Sequence, residues 1–217
     1  MTLPQLPSTI ASGVEHRLEV KKSVFLTRLE PVASVEEADA VIAAIRKEHW
    51  DARHHCTAMI VGPTADRQRS NDDGEPAGTA GAPMLEVLRH CDVTDLVAVV
   101  TRWFGGTLLG AGGLVRAYGT SVSEALDRAR LVERVHLTTV TAEASHGDAG
   151  RILAFLHQWS ESHGAVLDEP TYGSMARLSL RVPPEAVPVL VAEVAALTSG
   201  AVEAVAGETA VVDRPRG

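Results

Sequence analysis

Three short stretches hold the residues best suited to chemistry. Asp72, Asp73 and Glu75 place three carboxylates within four positions. Such a group can hold a hard cation, act as acid and base, or bind an arginine of the same protein. It does not follow the regular acidic spacing of an EF-hand loop, and beside Gly74 and Pro76 it also reads as a turn former and helix cap. His54, His55 and Cys56 stand at the head of a strand-like run, where alternation puts His54 and Cys56 on one face and His55 on the other. A histidine beside a cysteine fits a nucleophile or a zinc ligand pair. Zinc needs four ligands, however, and no second Cys/His pair has suitable spacing, since His146, His157 and His163 do not supply one. A structural role, hydrogen-bonded to the acidic loop, is the simpler expectation for either histidine. The third stretch is a loop carrying Gly105, Gly106, Gly110, Gly112 and Gly113, flanked by Arg102 and Arg116.

That loop needs a strand before it and a helix after it. Residues 95–103 form an apolar run that reads as a strand buried on both faces. Leu114, Tyr118, Val122, Ala125 and Ala129 recur at helical spacing. A strand, a glycine-rich loop and a helix N-terminus together make an anion site, because the first helical amides lack internal acceptors. The same glycines also let a helix pack closely on a sheet. No Gly-Lys-Ser/Thr closes a P-loop, the glycines do not keep dinucleotide spacing, and neither a Gly-x-Ser-x-Gly elbow nor a zinc-protease helix is present.

The 217 residues suit one large domain or two small ones, and 45% hydrophobic content supplies real cores. Net charge is −8, with 14 Lys+Arg against 17 Asp+Glu before residue 131 and 6 against 11 from there on. Neither half is a basic nucleic-acid module, so RNA contact requires a local patch. Cys56 and Cys91 are expected in packed elements, without a disulfide framework. The start lacks a signal-peptide pattern and no run reaches the length of a bilayer span, which points to the cytoplasm.

Along the chain, residues 1–13 read as a mobile leader, and two short strands follow from Val14. Ser34 and Glu37 form a capping box for a helix with Val35, Ala38, Ile42, Ile45 and His49 on one face. Residues 55–62 form a strand, Arg67 and Arg69 an arginine-rich turn, and 71–83 an irregular loop before a helix opened by Pro83. A hinge is expected around 132–135, giving one domain over 14–134 and a second over 135–217. The second reads strand 136–144, helix 148–163, strands 165–171 and 174–182, helix 185–198 and strand 201–212. This is the βαββαβ, ferredoxin-like order of an α+β chain. Pro188 demands that its helix start late enough to keep it in the first turn.

The stretches 50–58, 71–85 and 102–119 resemble the IMPACT/YigZ family. Its hallmarks are an Asp-Asp-Gly-Glu-Pro-x-Gly-Thr-Ala-Gly loop and an Arg-aromatic-Phe-Gly-Gly segment running into Leu-Gly-x-Gly-Gly-Leu-x-Arg-Ala-Tyr. Asn71 stands where a serine is usual and Trp103 where a tyrosine is usual. The resemblance covers about residues 15–130 and implies an N-terminal α/β domain like the second domain of a small-subunit ribosomal protein, followed by the ferredoxin-like domain. It implies a cytosolic, translation-associated regulatory protein that touches RNA, the ribosome or translation factors, since eukaryotic members dampen a translation-control kinase. The shared surface would be Asp72, Asp73, Gly74, Glu75, Thr79, Arg102, Gly105, Gly106, Gly112, Gly113 and Arg116. On this reading Asp72 and Glu75 orient Arg102 and Arg116, and alanine at either arginine weakens association while leaving the fold intact. No metal or cofactor is expected. Two alternatives stand beside this one: a hydrolase or transferase using Asp72, Asp73 or Glu75 with His54 or His55, and a protein–protein adaptor.

Overall fold

The computed structural model describes residues 6–215. The chain divides into two compact units, one centred on Leu6–Arg134 and the other on Val135–Asp213. Together they are the α+β chain the sequence predicts.

The first unit opens with β1 (Thr9–Ile10), the hairpin β2 (Val14–Val20) and β3 (Ser23–Pro31), and α1 (Val35–Glu48). It continues through β4 (His54–Val61), β5 (Arg67–Asn71), α2 (Gly81–His90), β6 (Leu96–Trp103) and α3 (Ala111–Leu126). Five strands form an antiparallel sheet in the order β2-β3-β6-β4-β5. The central strands β4 and β6 are buried almost throughout, because the sheet is covered on both faces. On one face Phe25, Ala58, Val100, Leu88, Tyr118 and Val122 form a core beneath α2 and α3. On the other, Val97, Val99 and Met59 meet Ala38 and Ile45 of α1. Burying large apolar side chains stabilises the fold by about 1.5–3 kcal/mol each.

Local chemistry fixes the helix ends. Ser34 Oγ accepts from the Glu37 amide at 3.2 Å, and the Glu37 carboxylate reaches back to the Ala33 amide at 2.7 Å. The predicted capping box thus closes one residue further upstream. Residues 67–71, expected as a turn, form the edge strand β5 instead. All five are exposed, so the polar sequence carries no alternation to reveal a strand that pairs through one edge of β4. Cys56 is buried as expected, but Cys91 is exposed at the end of α2.

The described part of the leader is also held. Ser8 bridges to Val93, and Thr9 and Ile10 pair with Val132 and Leu131. Leu6 and Ile10 are buried, so hydrophobic anchoring overrides the turn-rich composition of residues 6–13. Residues 1–5 of that expected leader lie outside the described residues.

The strand β7 (Leu131–Ala144) is uninterrupted through 132–135, where the sequence suggests a hinge. The second unit continues with α4 (His146–His163), β8 (Val166–Leu167), β9 (Thr171–Tyr172), β10 (Ala176–Val182), α5 (Val187–Leu197) and β11 (Ala204–Pro215). Within it β7 lies between β10 and β11, and β10 also pairs with β8, which is the ferredoxin-like arrangement. The strand expected over 165–171 is reduced to two short pieces on either side of Pro170, which cannot donate to a ladder. A 3₁₀ turn at Pro184–Ala186 delays α5, placing Pro188 in its first turn. Among the described residues no helix is long and apolar enough to cross a membrane.

Candidate functional site

The acidic loop is tied down by its own backbone. Asp72 accepts from the amides of Gly78 at 2.8 Å, Ala80 at 3.0 Å and Gly81 at 2.8 Å, and so caps the start of α2. Burial opposes ionisation, yet these three donors hold its carboxyl below the usual carboxylate range. Asp73 is equally committed: one oxygen accepts from the His55 amide at 2.6 Å and the other from Arg46 at 2.6 Å. Thr79, expected on the surface, is buried, and its hydroxyl donates to the Pro76 carbonyl at 2.7 Å.

Glu75 and Arg102 form a buried ion pair at 2.5 Å, their side chains 4% and 7% exposed. Tyr118 donates to the same carboxylate oxygen at 2.8 Å, and the Cys56 thiol donates to the Tyr118 hydroxyl at 3.2 Å. Burial raises the Cys56 thiol to about 12, the Tyr118 hydrogen bond opposing and nearby carboxylates adding to the rise, so it is no thiolate nucleophile at neutral pH. The Tyr118 hydroxyl is pushed up too, first by burial. Arg102 is further held by Ser23 and lies over the rings of Phe25 at 5.4 Å and Phe104 at 5.8 Å. Its Nε is buried without a partner.

These positions correct two expectations. Of the two acids only Glu75 pairs with Arg102, because Asp72 is spent on α2, while Arg116 is exposed one turn into α3 with no acidic partner among the described residues. Alanine at Arg102 cannot leave the fold untouched, because it strands a buried carboxylate.

The acid–base alternative meets a similar obstacle. Asp73 Oδ2 lies 3.8 Å from His55 Nδ1, but His55 is buried and its Nε2 is bonded to the His49 carbonyl at 3.1 Å. Burial holds His55 below its ordinary value, against the pull of the His49 carbonyl and Asp73. His54 is oriented by a 2.8 Å bond from Nδ1 to the Asp73 carbonyl. Among the described residues no group of three or more His, Cys, Asp or Glu side chains is arranged to hold a metal.

The glycine loop does two distinct jobs. A Cβ at Gly105 would stand 2.0 Å from the Lys22 carbonyl carbon, so this residue is needed where β6 leaves the β2–β3 turn. Gly110 has φ 72° and ends the loop at the α3 N-cap position. It provides no side-chain cap, unlike Ser34 at α1, Ser145 at α4 and Asp72 before α2. The amides of Ala111, Gly112 and Gly113 consequently find no acceptor among the described residues.

The first of these residues, Ala111, lines a cleft of about 360 Å³. Arg53, His54, Glu75, Arg102 and Gly110 supply its polar lining, and Pro76, Phe104, Leu108, Leu109 and Leu114 its apolar lining. The structure thus brings Glu75, Arg102, His54 and the α3 start to one cleft. It leaves Asp72, Asp73 and Thr79 behind it as scaffolding. Sequence reasoning missed Phe104, Arg53 and Leu108 as site residues. Phe104 carried a signal, an aromatic immediately before Gly105-Gly106; Arg53 and Leu108 lie inside the stretches 50–58 and 102–119, but neither residue type nor spacing marks them there.

A family model for the Impact N-terminal domain matches residues 21–126, which contain every residue of this cleft. IMPACT family member YigZ of Escherichia coli (strain K12) is 38% identical over 208 residues, spanning 95% of this chain and 97% of that one. The chain belongs to the IMPACT family. IMPACT family member YvyE of Bacillus subtilis (strain 168) is 46% identical over 144 residues, 66% of each protein. A crystal structure of a hypothetical protein, 36% identical, aligns with a TM-score of 0.60 over 95% of this chain and 99% of that one.

Proposed function

We propose that this IMPACT family protein is a cytosolic, translation-associated binding protein that engages RNA phosphate, free or on the ribosome, through the cleft at the start of α3. The observation that carries the reading is the uncapped N-terminus of α3, whose first amides have no acceptor among the described residues. Arg53 and Arg116 are exposed near it and supply charge without structural duties. The net charge of −8 confines such binding to a local patch. The translational context is the one that the family resemblance implies.

Co-sedimentation with ribosomes and with free RNA across a salt series tests this. The Arg53→Ala/Arg116→Ala double variant is expected to bind more weakly and to flatten the logarithmic salt slope by roughly 0.7 for each lost phosphate contact to a single strand. Association that is unchanged in the double variant, or that survives nuclease treatment intact, would replace phosphate binding with a protein partner.

A further inference from the structure

We infer that the cleft seats one unstacked nucleotide of a single-stranded RNA, with its phosphate on the α3 amides and its base against the Phe104 ring. This rests on the phosphate-binding reading and specifies the ligand of that site.

A bare anion explains only half of the cleft. Free amides and Arg53 suffice to hold a phosphate, yet much of the lining is apolar and costly to leave in water: Phe104 is 51% and Leu108 83% exposed. A ligand that uses both kinds of lining carries an anionic group and a flat apolar group, which describes a nucleotide. At about 360 Å³ the cleft lies at the small end of the range of ligand pockets. A base stacked inside a duplex cannot enter it; a base splayed out of a single strand can.

The aromatic wall is held ready for stacking. Arg102 lies on Phe104 and is itself fixed by Glu75, Ser23 and the Phe25 ring, so little ordering remains when a base arrives. Arg102 lines the cleft, is more than nine-tenths buried, and has an Nε without a partner. An oxygen of the ligand would satisfy this orphaned donor. Net negative charge disfavours an extended electrostatic track along a duplex and leaves a shaped pocket as the route to affinity.

Titration calorimetry on the full chain separates the contributions, with inorganic phosphate, a trinucleotide of RNA and a tripeptide with a free carboxylate as probes. Base–aromatic stacking predicts that Phe104→Ala weakens the trinucleotide about 5- to 150-fold while leaving phosphate binding unchanged. Phe104→Trp should restore the trinucleotide. Gly112→Asp, which puts a carboxylate among the α3 amides, should remove both. Phe104 is half exposed, so thermal unfolding of these variants should remain near wild type. Trinucleotide affinity within twofold of wild type in Phe104→Ala would overturn the inference, as would a tripeptide that binds more tightly than the trinucleotide. Ribosome association that still depends on Arg53 and Arg116, alongside a failed trinucleotide, would refute the nucleotide pocket alone. Loss of both phosphate and ribosome binding by the wild-type chain would refute the underlying reading as well.

Discussion

Replacing Arg102 with alanine should destabilise the first unit by about 3–5 kcal/mol, the cost of breaking a buried pair by removing one partner. The structure supports the upper class of effect. The guanidinium sits 2.5 Å from Glu75, and both side chains are more than nine-tenths buried. Without Arg102, the Glu75 carboxylate keeps the Tyr118 hydroxyl as its side-chain donor among the described residues, and its side chain is only 4% exposed. Domain stability is typically about 5–15 kcal/mol, so this one substitution removes a large share of it. Urea unfolding followed by tryptophan fluorescence measures the loss, Trp103 lying next in the chain. With a slope of about 2 kcal/mol per molar, the midpoint should fall by roughly 1.5–2.5 M. Arg89→Ala is the control, because the Arg89–Glu86 pair is exposed on both sides and should contribute less than about 1 kcal/mol. The double variant Arg102→Met/Glu75→Gln should recover most of the loss, since it leaves no buried charge uncompensated while the introduced amide oxygen would still accept from Tyr118. An Arg102→Ala loss within about 1 kcal/mol of the Arg89→Ala value would refute the reasoning.

Three further outcomes follow from the same network and its surroundings. Asp72→Asn should cost about 1–2 kcal/mol, because it removes the charged acceptor at the start of α2. Asp72 has a lowered folded value, so its stabilisation is present above about 3.9 and lost as pH falls through that lowered value. Acid titration of the variant should therefore show a shallower decline. His55 is held below its ordinary value of about 6.5, so the fold favours its neutral form; stability should drop as pH falls through about 6.5 toward that lowered value, and less so in His55→Gln by urea midpoints. Gly105→Ala should lower the melting temperature through about 1–3 kcal/mol of overpacking, since backbone rather than a flexible side chain occupies the Cβ position.

Much of the scaffold was legible because its signals are local. The Ser34 capping box, the apolar run of β6, the helical spacing from Leu114 to Ala125 and the βαββαβ order of the second unit each follow from nearest-neighbour chemistry. The edge strand β5 was not, because a strand with no buried face leaves no periodic trace. The site was legible in its membership and not in its division of labour. Long motifs marked Asp72, Glu75, Arg102 and the glycines as one surface. Sequence cannot show that Asp72 turns back onto α2, that Arg102 lies over the rings of Phe25 and Phe104, or that Thr79 is buried, since each depends on contacts made after folding. Arg53 and Leu108 join the cleft from separate loops, and neither spacing nor residue type connects them.

Phosphate binding on the α3 amides is tested most directly by the RNA affinity of Gly112→Asp beside Gly112→Ala, read by fluorescence anisotropy of a labelled single-stranded RNA. A Cβ at position 112 meets only the Arg116 guanidinium, at 3.7 Å, so both variants should fold, and an aspartate in the first turn favours the helix. Near-wild-type binding is expected for Gly112→Ala, and a loss of at least about tenfold for Gly112→Asp with undiminished thermal stability. Equal RNA binding by Gly112→Asp and wild type would contradict this, because the α3 amides would then not be where the phosphate sits.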